Sequence, residues 1–150
     1  MRIVTVTLAA IALTLSTLSP ASARISSQTY EVQVKTQTNK FRVSTDRAKV
    51  SPSSCLDRWA ESWARKLARE RRLVHRDAAG MRKVMRDCNL NVLTENLAEG
   101  YSSGTRTVIA WQNSPGHRAN LLNQAVRLHA SGAVYSGDKW WVVQLMGRKA

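Results

Sequence analysis

Apolar positions recur at helical spacing along one long stretch of the chain. Leu56, Trp59, Ala60, Trp63 and Leu67 fall on one face, which predicts an amphipathic helix over residues 55–73 ending near Leu73-Val74-His75. Ser51-Pro52-Ser53 breaks the chain before it, and Ser54 with Asp57 three residues on has the form of a capping box. Glu61/Arg65 and Lys66/Glu70 sit four apart on the outer faces, as paired surface charges do. Trp59 and Trp63 are read as core residues. The segment before the break is ambiguous. Tyr30-Glu31-Val32-Gln33-Val34 alternates like a strand, while Tyr30, Val34, Thr38 and Phe41 make a helical stripe.

Downstream, Met81, Val84 and Met85 after Gly80 predict a short helix, and Thr105–Gln112 predicts another through Val108, Ile109 and Trp111. Ser114 and Pro115 stand as N-cap and first residue of a further short helix through Leu121 and Leu122. The period then changes. Leu128–Tyr135 and Trp140–Met146 are β-rich and joined by Ser136-Gly137-Asp138-Lys139, an antiparallel hairpin. Helices first and a hairpin last give an α+β domain.

The first residues change the picture of where the chain works. Arg2 precedes an apolar run from Ile3 to Leu18, Pro20 breaks it, and Ala21-Ser22-Ala23 provides small residues for cleavage. Residues 1–23 are therefore read as a signal peptide, and residues 24–150 as one mature, secreted domain. Cleavage removes Arg2 and no acid, so the net charge of +13 falls to +12. Such an excess acts over about 10 Å and favours anionic wall polymers or membrane surfaces. Nucleic acid is not expected as a partner of an exported protein. Cys55 and Cys88, an even count in an oxidising compartment, predict one disulfide.

Candidate chemistry concentrates in three places: His75, the Glu95-Asn96-Leu97-Ala98-Glu99-Gly100 segment, and Trp111 to Leu122 with Ser114 and His117. Two imidazoles and one carboxylate form a set that suits zinc with an open fourth position, although the spacing is not a compact metal motif. The alternative is that each histidine is hydrogen-bonded near a helix terminus.

Together, His75, Glu95-Asn96-Leu97-Ala98-x-Gly100, Trp111-x-Asn113-Ser114-Pro115-Gly116-His117-Arg118-x-Asn120-Leu121-Leu122 and Trp140-Trp141-Val142-Val143-Gln144-x-x-Gly147 resemble a bacterial member of the CAP superfamily. That superfamily comprises the cysteine-rich secretory proteins, antigen 5 and pathogenesis-related proteins, and its domain is also called SCP. The resemblance spans about residues 30–147. It implies an α-β-α sandwich with a central antiparallel sheet and a cleft lined by two His and two Glu. It also implies that Tyr30–Arg42 is a helix, through Thr38-Asn39-x-x-Arg42.

By the same resemblance, His75 and His117 are the two cleft histidines and Glu95 is one cleft carboxylate, with Asn96 beside it. The chain departs from the family at Thr94, where Gly is usual, and at Ser114, where the second Glu is usual. Loss of that carboxylate should weaken divalent-cation binding. The family implies a non-enzymatic extracellular binding module for lipid, another small apolar ligand or a metal. Two alternatives stand beside it. One is a metal-dependent hydrolase using Glu95 or a zinc-bound water as base. The other is a cationic surface protein acting through Arg58, Arg65, Lys66, Arg69, Arg71 and Arg72. A Cys55–Cys88 bond would tether the loop between His75 and Glu95 to the helix that carries His75 at its end.

Overall fold

Helix settles the segment whose pattern was ambiguous. The computed structural model describes residues 24–150, so the signal peptide predicted over 1–23 lies outside the described residues. Helix α1 runs Ser27–Val43, capped by Ser26, whose side chain accepts from the Thr29 N–H. Its buried stripe is Tyr30, Val34, Thr38 and Arg42. An arginine can end this stripe because its Nε and Nη1 donate to backbone carbonyls, although its buried Nη2 has no partner among the described residues. Nε donates to Ala48 at 2.8 Å, and Nη1 to Leu121 at 2.6 Å and Asn123 at 3.0 Å. Asn39 pairs with Val50 through both its amide atoms, at 2.8 and 3.0 Å, and so fixes the following loop.

The chain continues as β1 (Ser51–Pro52), α2 (Ser54–Glu70), α3 (Ala78–Asp87), β2 (Leu90–Glu99), α4 (Gly104–Gln112), α5 (Pro115–Leu122), β3 (Leu128–Ser136) and β4 (Lys139–Lys149). Three helix bounds differ from the sequence expectation. The cap of α2 is Ser53, whose side chain accepts from Leu56 N–H, so Ser54 is already helical. The same helix stops at Glu70 because Arg71 turns left-handed (φ 50°), leaving Leu73-Val74-His75 outside it. Helix α3 begins before Gly80, since Asp77 caps it by accepting from the Gly80 N–H at 2.7 Å.

Strand β2 carries no clear periodicity and is made by its partner. It pairs antiparallel with β4 from Leu90 to Glu99, with Glu95 opposite Leu145 and Asn96 opposite Gln144. The β3–β4 hairpin closes through Gly137 (φ 59°) and Asp138 (φ 60°), the positive angles a two-residue turn needs. The sheet order is β1-β3-β4-β2. It is mixed where an antiparallel sheet was expected, because two-residue β1 joins the edge of β3 in parallel.

Helices cover both faces, giving the α-β-α arrangement. On one face α2 and α3 bury Leu56, Ala60, Ala64, Leu67 and Val84 against Leu97, Ala130, Trp141, Val143 and Leu145. On the other, α1, α4 and α5 bury Tyr30, Val34, Val108, Trp111 and Leu121 against Ala98, Ala133, Trp140, Val142 and Met146. The central strand β4 is thus apolar on both sides. Helix α2 lies so close on β3 that a Cβ at Gly132 would come within 2.6 Å of the Ala60 and Glu61 backbone. Cys55 in the first turn of α2 is bonded to Cys88, the C-cap of α3, with their Cα atoms 5.7 Å apart. Among the described residues no helix is long and apolar enough to cross a membrane.

Two stability changes follow. Gly132→Ala should destabilise the domain by about 1–3 kcal/mol or more, since backbone and not a mobile side chain must yield. Replacing both cysteines by serine should cost about 3–4 kcal/mol through the freed loop of the unfolded chain. Urea unfolding of the oxidised and variant domains measures both.

Candidate functional site

Strand β2 delivers neighbouring residues to opposite faces of the sheet, as alternation requires. Glu95 points toward α2 and α3, and Asn96 toward α5. After the left-handed stop at Arg71 the chain runs irregularly to Asp77, held by the Trp63 indole N–H donating to the Val74 carbonyl at 3.2 Å. This brings His75 and Arg76 over Glu95. His75 Nδ1 lies 2.8 Å from Glu95 Oε1, which also accepts the Arg76 backbone N–H at 3.1 Å. The Arg76 guanidinium donates to Oε2 at 2.7 Å and, through its other nitrogen, to the Trp59 carbonyl.

The Arg76 and Glu95 side chains are each 3% exposed, whereas His75 is 58% exposed. A buried carboxylate is thus neutralised by a buried guanidinium and presents its imidazole partner to solvent. Burial pulls the Arg76 pKa down and Glu95 opposes that pull. The guanidinium also stacks near the Trp63 ring at 4.8 Å and the Trp59 ring at 5.9 Å.

On the opposite face His117 is the third residue of α5. Ser114 occupies the N-cap position but makes no side-chain capping bond. Its hydroxyl instead lies 3.0 Å from His117 Nδ1, so it is not consumed as a helix cap. Burial, and next the charge of His75, lower the His117 pKa below that of a free imidazole.

A run of amides fixes the two halves to each other. Asn120 donates to the Glu95 carbonyl at 3.0 Å and to Asn96 Oδ1 at 2.9 Å. Asn96 donates to Gln144 Oε1 at 2.9 Å and to the His117 carbonyl at 3.4 Å, and Gln144 donates to Thr38 at 2.9 Å. Four elements, α5, β2, β4 and α1, are linked through buried or part-buried side chains. Thr94 sits in regular strand, its hydroxyl 3.4 Å from the Met146 carbonyl, so a β-branched residue suits this position.

The set His75, Glu95 and His117 does not assemble as metal ligands. Among the described residues no three His, Cys, Asp or Glu side chains come together in a way that could hold a metal ion. The physical reason lies at Glu95. Both carboxylate oxygens are already bonded, and Arg76 supplies the positive charge that a cation would bring. The chain's own residues therefore do not fit zinc at this point.

Arg76, Trp59 and Trp63 were not among the candidate residues. Arg76 follows a run of surface arginines and has their appearance in sequence. The two tryptophans, expected in the core, are half-buried and wall a groove of about 610 Å³ that also takes in Lys66, Arg69 and His75. Trp59 and Trp63, four residues apart on the stripe of Leu56, Ala60 and Leu67, carried no sequence signal that they would be half-exposed.

The sequence matches the family described as CAP, cysteine-rich secretory protein family, over residues 36–146. No curated protein sequence matches it. Among solved structures it is similar to an outer surface protein of Borrelia burgdorferi, with 24% identity and a TM-score of 0.70, covering 78% of this chain and 90% of that one. An extracellular SCP-domain protein of Bacillus anthracis gives 23% identity and a TM-score of 0.73, over 89% of this chain and 45% of that one. A cysteine-rich secretory protein of Staphylococcus aureus gives 15% and 0.69, over 87% and 41%. At these identities the likeness establishes the fold.

His117 should titrate below 6.5, the ordinary value of its imidazole. The sign is that of a base kept neutral by the fold: the unfolded chain binds the proton more readily, so this contribution to stability is lost as pH falls below 6.5. Proton NMR of His75→Ala should show the His117 midpoint rising part of the way back, because burial, the larger cause, remains.

Proposed function

The chain belongs to the cysteine-rich secretory protein family, and on that footing we propose that it is an extracellular binding module whose ligand lies in the groove along α2 that ends at His75. The observation that carries this reading is the state of Glu95. A carboxylate that accepts three hydrogen bonds and faces a buried guanidinium is a structural group, not a base waiting for a proton. What remains accessible beside it is a binding wall: two half-buried indoles, the exposed ring of His75, and the cations Arg69 and Lys66, the latter paired with Glu70. Indole faces take apolar or flat groups and the cations take a negative charge, so the ligand class is a small amphipathic anion such as a fatty acid. Export through residues 1–23 would bring this cationic domain to envelope lipids.

Hydrolysis is the second reading, supported by the Ser114 hydroxyl lying 3.0 Å from a His117 ring nitrogen. Labelling of Ser114 by a fluorophosphonate would favour it, and absence of labelling would leave binding.

Titrating the mature oxidised domain with oleate below its micelle concentration should give saturable quenching of tryptophan fluorescence. Trp63→Ala should weaken binding about tenfold or more, as loss of a buried aromatic contact does. Arg69→Ala should weaken it less and reduce its salt sensitivity. Saturation unchanged in Trp63→Ala would remove the groove from the account.

A further inference from the structure

The sheet edge farthest from Glu95 carries a second constellation. There β1 covers only Leu128 and His129 of β3, and a cavity of about 330 Å³ opens between α1 and the β1–α2 junction. Glu31 and Lys35 of α1, Asp57 of α2, and His129 and Ser131 of β3 line it. We propose that this cavity is a binding site for a small organic cation bearing a primary ammonium group. It is separate from the groove at His75 and does not rest on it.

Three observations converge. First, His129 is 3% exposed, lines the cavity, and its Nε2 has no hydrogen-bond partner. A buried polar atom left unbonded costs stability, so a partner supplied from the cavity is favoured. Burial, and next Lys35, hold this imidazole down to about 3, so it is neutral at physiological pH. In the tautomer with its proton on Nδ1 it offers Nε2 as an acceptor, the form that a donor in the cavity would select.

Second, among the described residues neither Glu31 nor Asp57 has an ion-pair partner, although the mature chain carries an excess of twelve positive charges. Glu31 is half-buried and accepts the Ala133 N–H at 2.9 Å through Oε1. Its carboxyl is pushed up to about 7 by burial first, with Asp57 and Glu61 adding negative charge. Burial and Glu61 likewise raise Asp57. Lys35 lines the same cavity, yet neither acid has a cation within ion-pair distance among the described residues.

Third, the chemistry of the wall matches an alkylammonium. An ammonium head donates up to three hydrogen bonds, which suits a carboxylate, a second carboxylate and an imidazole nitrogen. The short apolar stretch of Val32, Pro52 and Ala130 accepts the methylenes behind it. A bare divalent ion is the wrong occupant, because among the described residues no three acidic, His or Cys side chains converge closely enough. An anion would meet Glu31 and Asp57 with only Lys35 in its favour.

The groups facing the site give a pH dependence. Lys35, Asp57, His129 and Glu31 all line it; burial holds His129 neutral and burial with Glu61 raises Asp57, and Glu31, pushed up to about 7, is the group whose charge changes near neutral pH. A cation binds its ionised form, so affinity should rise as pH passes upward through about 7.

The test uses the mature oxidised domain and the hexylammonium ion, followed by amide NMR shifts, with neutral n-hexanol as control. The expected result is saturable shifts at His129, Ser131 and Ala133, with n-hexanol weaker by about tenfold or more. Glu31→Gln keeps an acceptor for the Ala133 N–H while removing the charge, and should weaken hexylammonium by about tenfold. Asp57→Asn should act in the same direction, and His75→Ala should leave binding unchanged. Absence of saturation, equal binding of n-hexanol, unchanged binding in Glu31→Gln, or shifts centred on His75 would each overturn the proposal. A native spectrum of Glu31→Gln separates lost binding from lost fold.

Discussion

The contact between Arg76 and Glu95 sets the arrangement of everything around the cleft. Two opposite charges, each side chain 3% exposed, are out of water and tolerable only because each satisfies the other and the surrounding backbone. Arg76 reaches the carboxylate because α2 ends early, at Arg71, and the chain turns back across the sheet. Trp59 and Trp63 pack beside the guanidinium, Trp59 also giving it a carbonyl acceptor, and His75 is carried to the surface as the residue before it. One ion pair therefore decides where the imidazole, the indoles and the groove are.

The disulfide stands behind this arrangement. It joins the start of α2 to the end of α3, the two helices that flank the Arg71–Asp77 segment. Its sulfur atoms are far from the chemistry in sequence, yet they bound the loop that carries His75 and Arg76. On the other face the amide run from Asn120 through Asn96 and Gln144 to Thr38 has the same role for His117, using neutral hydrogen bonds. Partly satisfied networks of this kind are costly, and this one joins four elements with short bonds.

Much of this was legible in residues alone, for physical reasons. The stripe of α2, the Ser114-Pro115 start of α5 and the turn at Gly137-Asp138 are local signals with local causes. Motif residues His75, Glu95 and His117 also stood out. Strand β2 was not readable, because its burial comes from β4 and not from its own alternation. Arg71 hid the end of α2, since an arginine in the left-handed region leaves no mark in sequence. Arg76 was hidden for a different reason. Charge suggests exposure, and only the tertiary placement of Glu95 makes a buried guanidinium favourable. The same omission made zinc look plausible, because two imidazoles and a carboxylate were counted without the cation already beside them. His129 was concealed within the β-rich tail, where a polar residue on an inward face has no sequence signature of its own.

A double-mutant cycle on Arg76 and Glu95, followed by urea unfolding with and without a zinc chelator, tests most directly whether a built-in guanidinium holds this cleft. Arg76→Met and Glu95→Gln should each cost about 3–5 kcal/mol, and the double variant should cost far less than their sum. The chelator should change none of these values. Additive single costs, or a wild-type domain destabilised by the chelator, would contradict the account.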